Sequence, residues 1–226
     1  MPNRDDRFAR AYIRRSPREE RSGGSGIRAR LMNGLSGRVL EVGAGQGHNF
    51  PQFESPRVSH VWALEPNAIL RNAAKARLQE LDLRKVSLVA GRGEALPFAD
   101  GTFDSAVVTL VLCSVERPVD VLSEIRRVLK PEGRLFFYEH VGSDSQIFAM
   151  AQSVAEPLWR YIAGNCHLTR DPVALLSEAG FRVTESEHFW FSPRLTSCCT
   201  GPRVLGSATP DGDGSMRPQL GTDTIQ

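Results

Sequence analysis

The sequence predicts an α/β domain in which a mainly parallel sheet carries helices on both faces, and three observations lead there. From Arg38 onward, short β-branched runs alternate with amphipathic helical stretches, the order that a parallel sheet requires. The run Phe103 to Cys113 is almost wholly apolar, as a strand covered on both faces must be. The run Val39-Leu40-Glu41-Val42 ends in Gly43-Ala44-Gly45-Gln46-Gly47, a turn whose glycines let backbone approach a ligand closely at a helix start.

A chain of 226 residues suffices for one domain with appendages and a substantial core. An apolar share of 41%, a charged share of 24% and a formal net charge of +2 describe an ordinary globular protein and argue against a nucleic-acid surface. Residues 1–30 hold no continuous apolar stretch of the kind a signal peptide requires, and no run reaches about 18 apolar residues, so no membrane anchor is expected and the cytoplasm is the expected compartment. The four cysteines, Cys113, Cys166, Cys198 and Cys199, are too few and too unevenly spaced for a disulfide scaffold. Vicinal Cys198 and Cys199 have no Cys-x-x-Cys partner pair, and the histidines show no ligand pattern, so no metal is expected.

Residues 1–35 read as one or two polar helices forming a cap, interrupted at Ser22-Gly23-Gly24-Ser25-Gly26. Their arginines, between Arg4 and Arg30, read as a solvated helical face rather than a basic arm. The main domain is expected over 36–209. Its first strand is Arg38 to Val42, and its second, His60 to Glu65, is stopped by Pro66. Asn67 caps a helix with Ile69, Leu70, Ala73, Ala74, Leu78 and Leu81 on its apolar face. Val86 to Ala90 is strand three and Phe103 to Cys113 strand four, its start anchored by Asp104. Pro118 opens a helix that ends at Pro131-Glu132-Gly133, and Arg134 to Tyr138 is strand five. An insertion at about 142–170 carries an apolar-rich helix over 144–163. A short helix from Asp171-Pro172 to Gly180 and strands over Phe181–Phe191 and Val204–Ala208 complete the domain. The tail, 210–226, is expected to be disordered and expendable.

The glycine turn departs from the dinucleotide fingerprint, because the position for its last glycine is His48 and an acidic residue, Glu41, sits in the strand end. Both features disfavour a nicotinamide or flavin. Glu65 ends the second strand twenty residues after Gly45, where a carboxylate accepts hydrogen bonds from two ribose hydroxyls. In the next loop, Gly91-Arg92-Gly93-Glu94-Ala95-Leu96-Pro97-Phe98, Glu94 is placed to accept from an adenine amino group. Phe98 and Phe103 read as core rather than as adenine stackers. The bland alternatives, a merely tight turn and a solvated strand-end glutamate, weaken when all the spacings are taken together.

Together, Glu-x-Gly-x-Gly-x-Gly, the strand-end Glu65, the Glu94-Ala95-Leu96-Pro97-Phe98 run and the Leu129-Lys130-Pro131-Glu132-Gly133 turn resemble class I S-adenosylmethionine-dependent methyltransferases over about residues 35–210. The resemblance implies a Rossmann-like, seven-stranded, mostly parallel sheet with an antiparallel last strand. It implies S-adenosylmethionine as cofactor, released as S-adenosylhomocysteine, across the carboxyl ends of the first four strands. The implied cofactor contacts are Glu41, Gly43, Ala44, Gly45 and Gly47 on the first turn, then Glu65, Pro66 and Asn67 after the second strand. Gly93, Glu94, Ala95 and Leu110 complete them.

A narrower resemblance follows from Thr109-Leu110-Val111-Leu112-Cys113-Ser114-Val115, Glu139-His140-Val141, Glu156-Pro157-x-Trp159 and Gly164-x-Cys166-x-Leu168-Thr169-Arg170. These segments are similar to the methyltransferase-like alkyl-thiol S-methyltransferases of animal microsomes. Those proteins begin with a membrane-associating apolar segment; residues 1–30 here do not read as one, so no membrane location is expected. The implied acceptor is a small, apolar molecule, with a thiol or dithiol sulfur foremost. The alternatives are an oxygen or carbon nucleophile on a quinone, phenol or polyketide, and a cofactor-binding partner protein without turnover.

His140, at the carboxyl end of strand five, is the candidate base or substrate-orienting group, weighed against a purely structural role. Glu139 reads as a cap or a pairing partner, and Cys113 as a buried residue at the border of the acceptor site. Phe148, Met150, Trp159, Tyr161 and Ile162 of the insertion line either an acceptor cavity or ordinary core. Tyr12 and Arg14 are placed to close over the cofactor's methionine end.

Overall fold

The computed structural model describes residues 4–191 and 200–212. The vicinal Cys198 and Cys199 and nearly all of the expected tail lie outside the described residues. The chain opens with helix α1 (Arg4–Glu19), which meets α2 (Ser25–Met32) across a kinked turn where Gly23 takes φ +116°. The order then runs β1 (Gly37–Val42), β2 (Val58–Leu64), α3 (Ala68–Glu80), β3 (Val86–Val89), β4 (Phe103–Thr109) and α4 (Pro118–Val128). It continues β5 (Leu129–His140), α5 (Gln146–Ile162), α6 (Pro172–Glu178), β6 (Phe181–Trp190) and β7 (Pro202–Pro210).

The sheet has seven strands in the order β3-β2-β1-β4-β5-β7-β6, parallel from β3 through β5, with β7 antiparallel to both of its neighbours. The strand order reverses between β1 and β4. That places a crevice at their carboxyl ends, where open α/β sheets take ligands. One face buries Leu40, Val108, Phe103, Ile125, Leu135 and Phe137, and the other buries Val39, Phe50, Phe53, Val61, Val107 and Tyr138. Asp104 joins β1 to the start of β4 by accepting from the Arg38 amide at 2.7 Å. Phe103 is fully buried, with Phe98 edge-on to it at 5.0 Å, so both belong to the core.

Four local expectations are corrected. No α-helix follows the glycine turn: only a short 3-10 segment, Phe50–Glu54, fits between Gly47 and β2, with Pro51 at its start and Pro56 just after it. Strand four stops at Thr109, because Leu110 takes φ +58° and its amide turns to the Tyr138 carbonyl at 2.7 Å. Helix α4 stops at Val128, and Leu129 through Gly133 already belong to β5. Apart from Trp159, which packs on buried Cys113, Cys166 and Leu168, the large apolar side chains of α5 are neither core nor cavity wall. Phe148, Met150, Tyr161 and Ile162 are exposed, and the helix is held by buried Gln152, which bonds Ser143 N, Val141 O and Leu168 O. Among the described residues no helix is long and apolar enough to cross a membrane.

Candidate functional site

The carboxyl edge of the sheet gathers the predicted residues around the first turn. Gly43 runs at φ +75°, and a Cβ there would sit 2.4 Å from Val111 Cγ2, so the turn lies directly on the loop after β4. Gly45, at φ +58°, has only the Tyr12 ring within reach of a Cβ, at 3.8 Å, which leaves backbone open to a ligand beneath α1. Ala44 is buried beside it, and Gly47 lies against the Phe50 ring. Glu65 Oε2 accepts from Gly45 N at 2.9 Å and Oε1 from Asn67 N at 2.8 Å, so one carboxylate ties the first two strand ends together. Burial raises the Glu65 pKa against the pull of those amides. Asn67 also caps α3, accepting from Ile69 N and Leu70 N. Gly93 packs against Val42 and Val121, bringing the third loop to the same rim, and Leu110 closes it from β4.

Three predicted contacts are less tightly placed. Pro66 and Ala95 are exposed on the rim. Glu94 pairs with the exposed Arg92 at 3.2 Å. Arg14 points to solvent, whereas Tyr12 lies over the turn and has its phenol pushed by burial up to about 12.

Glu41 is the most informative group. It is 1% exposed, accepts from Asn49 Nδ2 at 2.6 Å through Oε1, and has no partner for Oε2 among the described residues. Burial pushes it up to about 7. A buried carboxylate oxygen left unpaired calls for a donor or a cation, and the ammonium of a methionine moiety is both. With the opening over Gly45 and the double acceptor at Glu65, the residues present fit S-adenosylmethionine.

Sequence reasoning missed the scaffold behind this acid. Buried Arg28 bonds Glu20 at 3.0 Å, Asn49 Oδ1 at 2.8 Å and Thr109 Oγ1 at 2.8 Å, linking α2 to Asn49 and hence to Glu41. It also missed the cluster that pins α1 to the glycine turn. His48 Nε2 lies 2.8 Å from Gln46 Nε2 and 2.9 Å from Ser16 Oγ, and Gln46 also bonds Ser16. Only the polar side chains at 46 and 48, unusual beside a buried strand end, hinted at either feature.

Burial, then the Arg28 and Arg77 guanidinium groups, push the His48 pKa down to about 3 from 6.5. Between those values unfolding takes up a proton. His48 therefore leaves stability whole above about pH 6.5 and removes about 1.4 kcal/mol per pH unit as the pH falls below it. His48→Gln is expected to lose less stability than the parent between about pH 6.5 and 5 in urea titrations. Parallel losses in the two proteins would refute this.

His140 ends β5, two strands across the sheet from β1. Its Nδ1 is 3.5 Å from both Cys113 Sγ and Cys166 Sγ, and the two sulfurs are 3.6 Å apart. All three residues are buried. The contact with Cys166 and burial raise the Cys113 pKa, while the contact with Cys113 and the nearby His140 lower that of Cys166. Just before His140, Glu139 is fully buried and accepts from the amides of Val111 at 2.8 Å, Leu112 at 2.9 Å and Cys113 at 3.2 Å. It is therefore the cap that shapes the loop after β4.

The model of a methyltransferase domain matches residues 40–137. The chain is 40% identical over 182 residues to the human thiol S-methyltransferase TMT1B, covering 78% of this chain and 73% of that protein. It is 34% identical over 160 residues to the human thiol S-methyltransferase TMT1A, covering 69% and 65%. Among solved structures, the YcgJ protein of Bacillus subtilis superposes with a TM-score of 0.66 at 17% identity, covering 82% of this chain and 97% of that one. A geranyl diphosphate methyltransferase in complex with S-adenosylmethionine gives 0.64 at 14% identity, covering 83% and 84%.

Proposed function

Because the chain belongs to the S-adenosylmethionine-dependent methyltransferases, in the family of the thiol S-methyltransferases it matches, we propose that it methylates the sulfur of a small, largely apolar thiol or dithiol. Glu65 takes the ribose hydroxyls, the spare oxygen of Glu41 takes the ammonium, and Glu94 faces the adenine. The amides of Gly43 to Gly47 lie alongside, with Pro66, Asn67, Gly93, Ala95 and Leu110 forming the rim. Bound S-adenosylmethionine supplies an electrophilic methyl group on a sulfonium.

The observation that carries the sulfur reading is the use already made of Glu139. Both of its oxygens are engaged by the amides of residues 111–113, so the carboxylate next to the acceptor side is no free base. What remains there is His140 with two buried sulfurs. A phenol, which ionises near 10, or an alcohol usually needs a general base or a metal, whereas a thiol ionises near 8.5 and needs only a modest downward shift. The chain's part is then to orient the thiolate, through His140, and to exclude water. A detoxifying or tailoring role in the cytoplasm goes with this reading.

The rate with an alkyl thiol is expected to rise with pH to a plateau, with a midpoint at or below about 8.5. The midpoint moves down when a more acidic thiol is used. Thiols that give no thioether at any pH, with an active cofactor site, would overturn the proposal.

A further inference from the structure

We propose that Cys113, His140 and Cys166 form a binding site for a soft divalent ion, zinc by class, whose fourth position takes the thiolate of the acceptor. The second half rests on the thiol reading above, and the first half does not. The three residues come from the loop after β4, the end of β5 and the segment after α5, and their ligand atoms form a triangle with edges of 3.6, 3.5 and 3.5 Å. Zinc–sulfur bonds of about 2.3 Å and zinc–nitrogen bonds of about 2.0–2.1 Å at tetrahedral angles separate two sulfurs by about 3.8 Å and a sulfur from a nitrogen by about 3.6 Å. The side chains therefore already outline one face of a tetrahedral site.

Charge and surroundings agree with that use. Two thiolates and a divalent ion sum to zero, so the set is suited to the buried setting of Ala163, Leu168 and Trp159. Trp159 packs against the cluster with its indole beside Cys166. Three protein ligands leave a position open, the arrangement of reactive rather than closed zinc sites.

Binding of the acceptor thiol there releases its proton to solvent and keeps the sulfur anionic in a dry site. A lone pair on that sulfur forms the new S–CH3 bond as the sulfonium's C–S bond breaks. The bonding pair stays on the departing sulfur, so no oxidant or base is consumed.

The full chain, reduced, stripped and titrated with zinc against a chromophoric chelator, is expected to bind about one ion tightly. Cobalt(II) in its place is expected to show thiolate-to-metal charge-transfer bands, which an added alkyl thiol shifts. Cys113→Ser and Cys166→Ser are each expected to weaken zinc binding by on the order of a hundred-fold or more, while S-adenosylmethionine binding persists. The pair Cys198→Ser and Cys199→Ser leaves zinc binding intact. A reduced parent that takes up no ion, a disulfide between Cys113 and Cys166 with no ion bound after reduction, or an ion retained by both single variants would overturn the site. Thioether formation at full rate by the metal-free protein would overturn the open-position half and leave the thiol reading standing. Stoichiometric zinc with no thiol methylated would instead overturn the thiol reading, and the open-position half with it.

Discussion

Glu65→Ala is expected to weaken S-adenosylmethionine binding by roughly thirty- to a thousand-fold, on the order of 2–4 kcal/mol. The carboxylate already holds Gly45 N and Asn67 N, so it stands with both oxygens fixed at the seam between the first two strand ends. Each oxygen keeps a lone pair for a ribose hydroxyl, and charge-assisted bonds of this kind are the strong ones. Alanine removes those acceptors and also leaves the amides of Gly45 and Asn67 without that partner, which loosens the backbone the ligand rests on. Glu65→Gln retains only one acceptor oxygen and is expected to fall between alanine and the parent. Titration calorimetry with S-adenosylmethionine and S-adenosylhomocysteine measures both, and unchanged affinity in Glu65→Ala would remove the residue from the site.

The second large effect is on stability. Glu139 is fully buried, and its two oxygens satisfy three consecutive amides of a loop that has left the sheet. Each buried amide left unpaired costs about 1–3 kcal/mol, so Glu139→Ala is expected to destabilise the fold by about 3–5 kcal/mol after partial rehydration. Glu139→Gln keeps the oxygen that serves Val111 and Leu112 and loses only the Cys113 bond, so its loss should be about 1–2 kcal/mol. Urea unfolding gives both numbers. An alanine variant within about 1 kcal/mol of the parent would mean that the loop finds other acceptors.

The sequence was most legible where chemistry and chain order coincide. The glycine turn, Glu41, Glu65 and Asn67 are local features, and their roles follow from spacing along one strand and its exit. Local pattern misled at the ends of β4 and α4. An apolar run looks the same whether it continues as strand or turns away at Leu110, and only the Tyr138 carbonyl and the Glu139 carboxylate decide it. The apolar stripe of α5 misled differently: periodicity shows that a face exists, and here the inward anchor is the polar Gln152. The Arg28–Asn49–Glu41 relay and the closing of Cys113, His140 and Cys166 into a triangle were not readable as constellations. Their members lie from 8 to 27 residues from the next, and the alignment of β1, β4 and β5 brings them together.

The most direct measurement is a side-by-side assay of alkyl thiols, dithiols, phenols and hydroquinones with a labelled methyl donor, with products resolved by mass. The account predicts labelled thioether from the apolar thiols and little or no methyl ether from the phenols. Methylated oxygen or carbon products, with no thioether from any thiol, would contradict it.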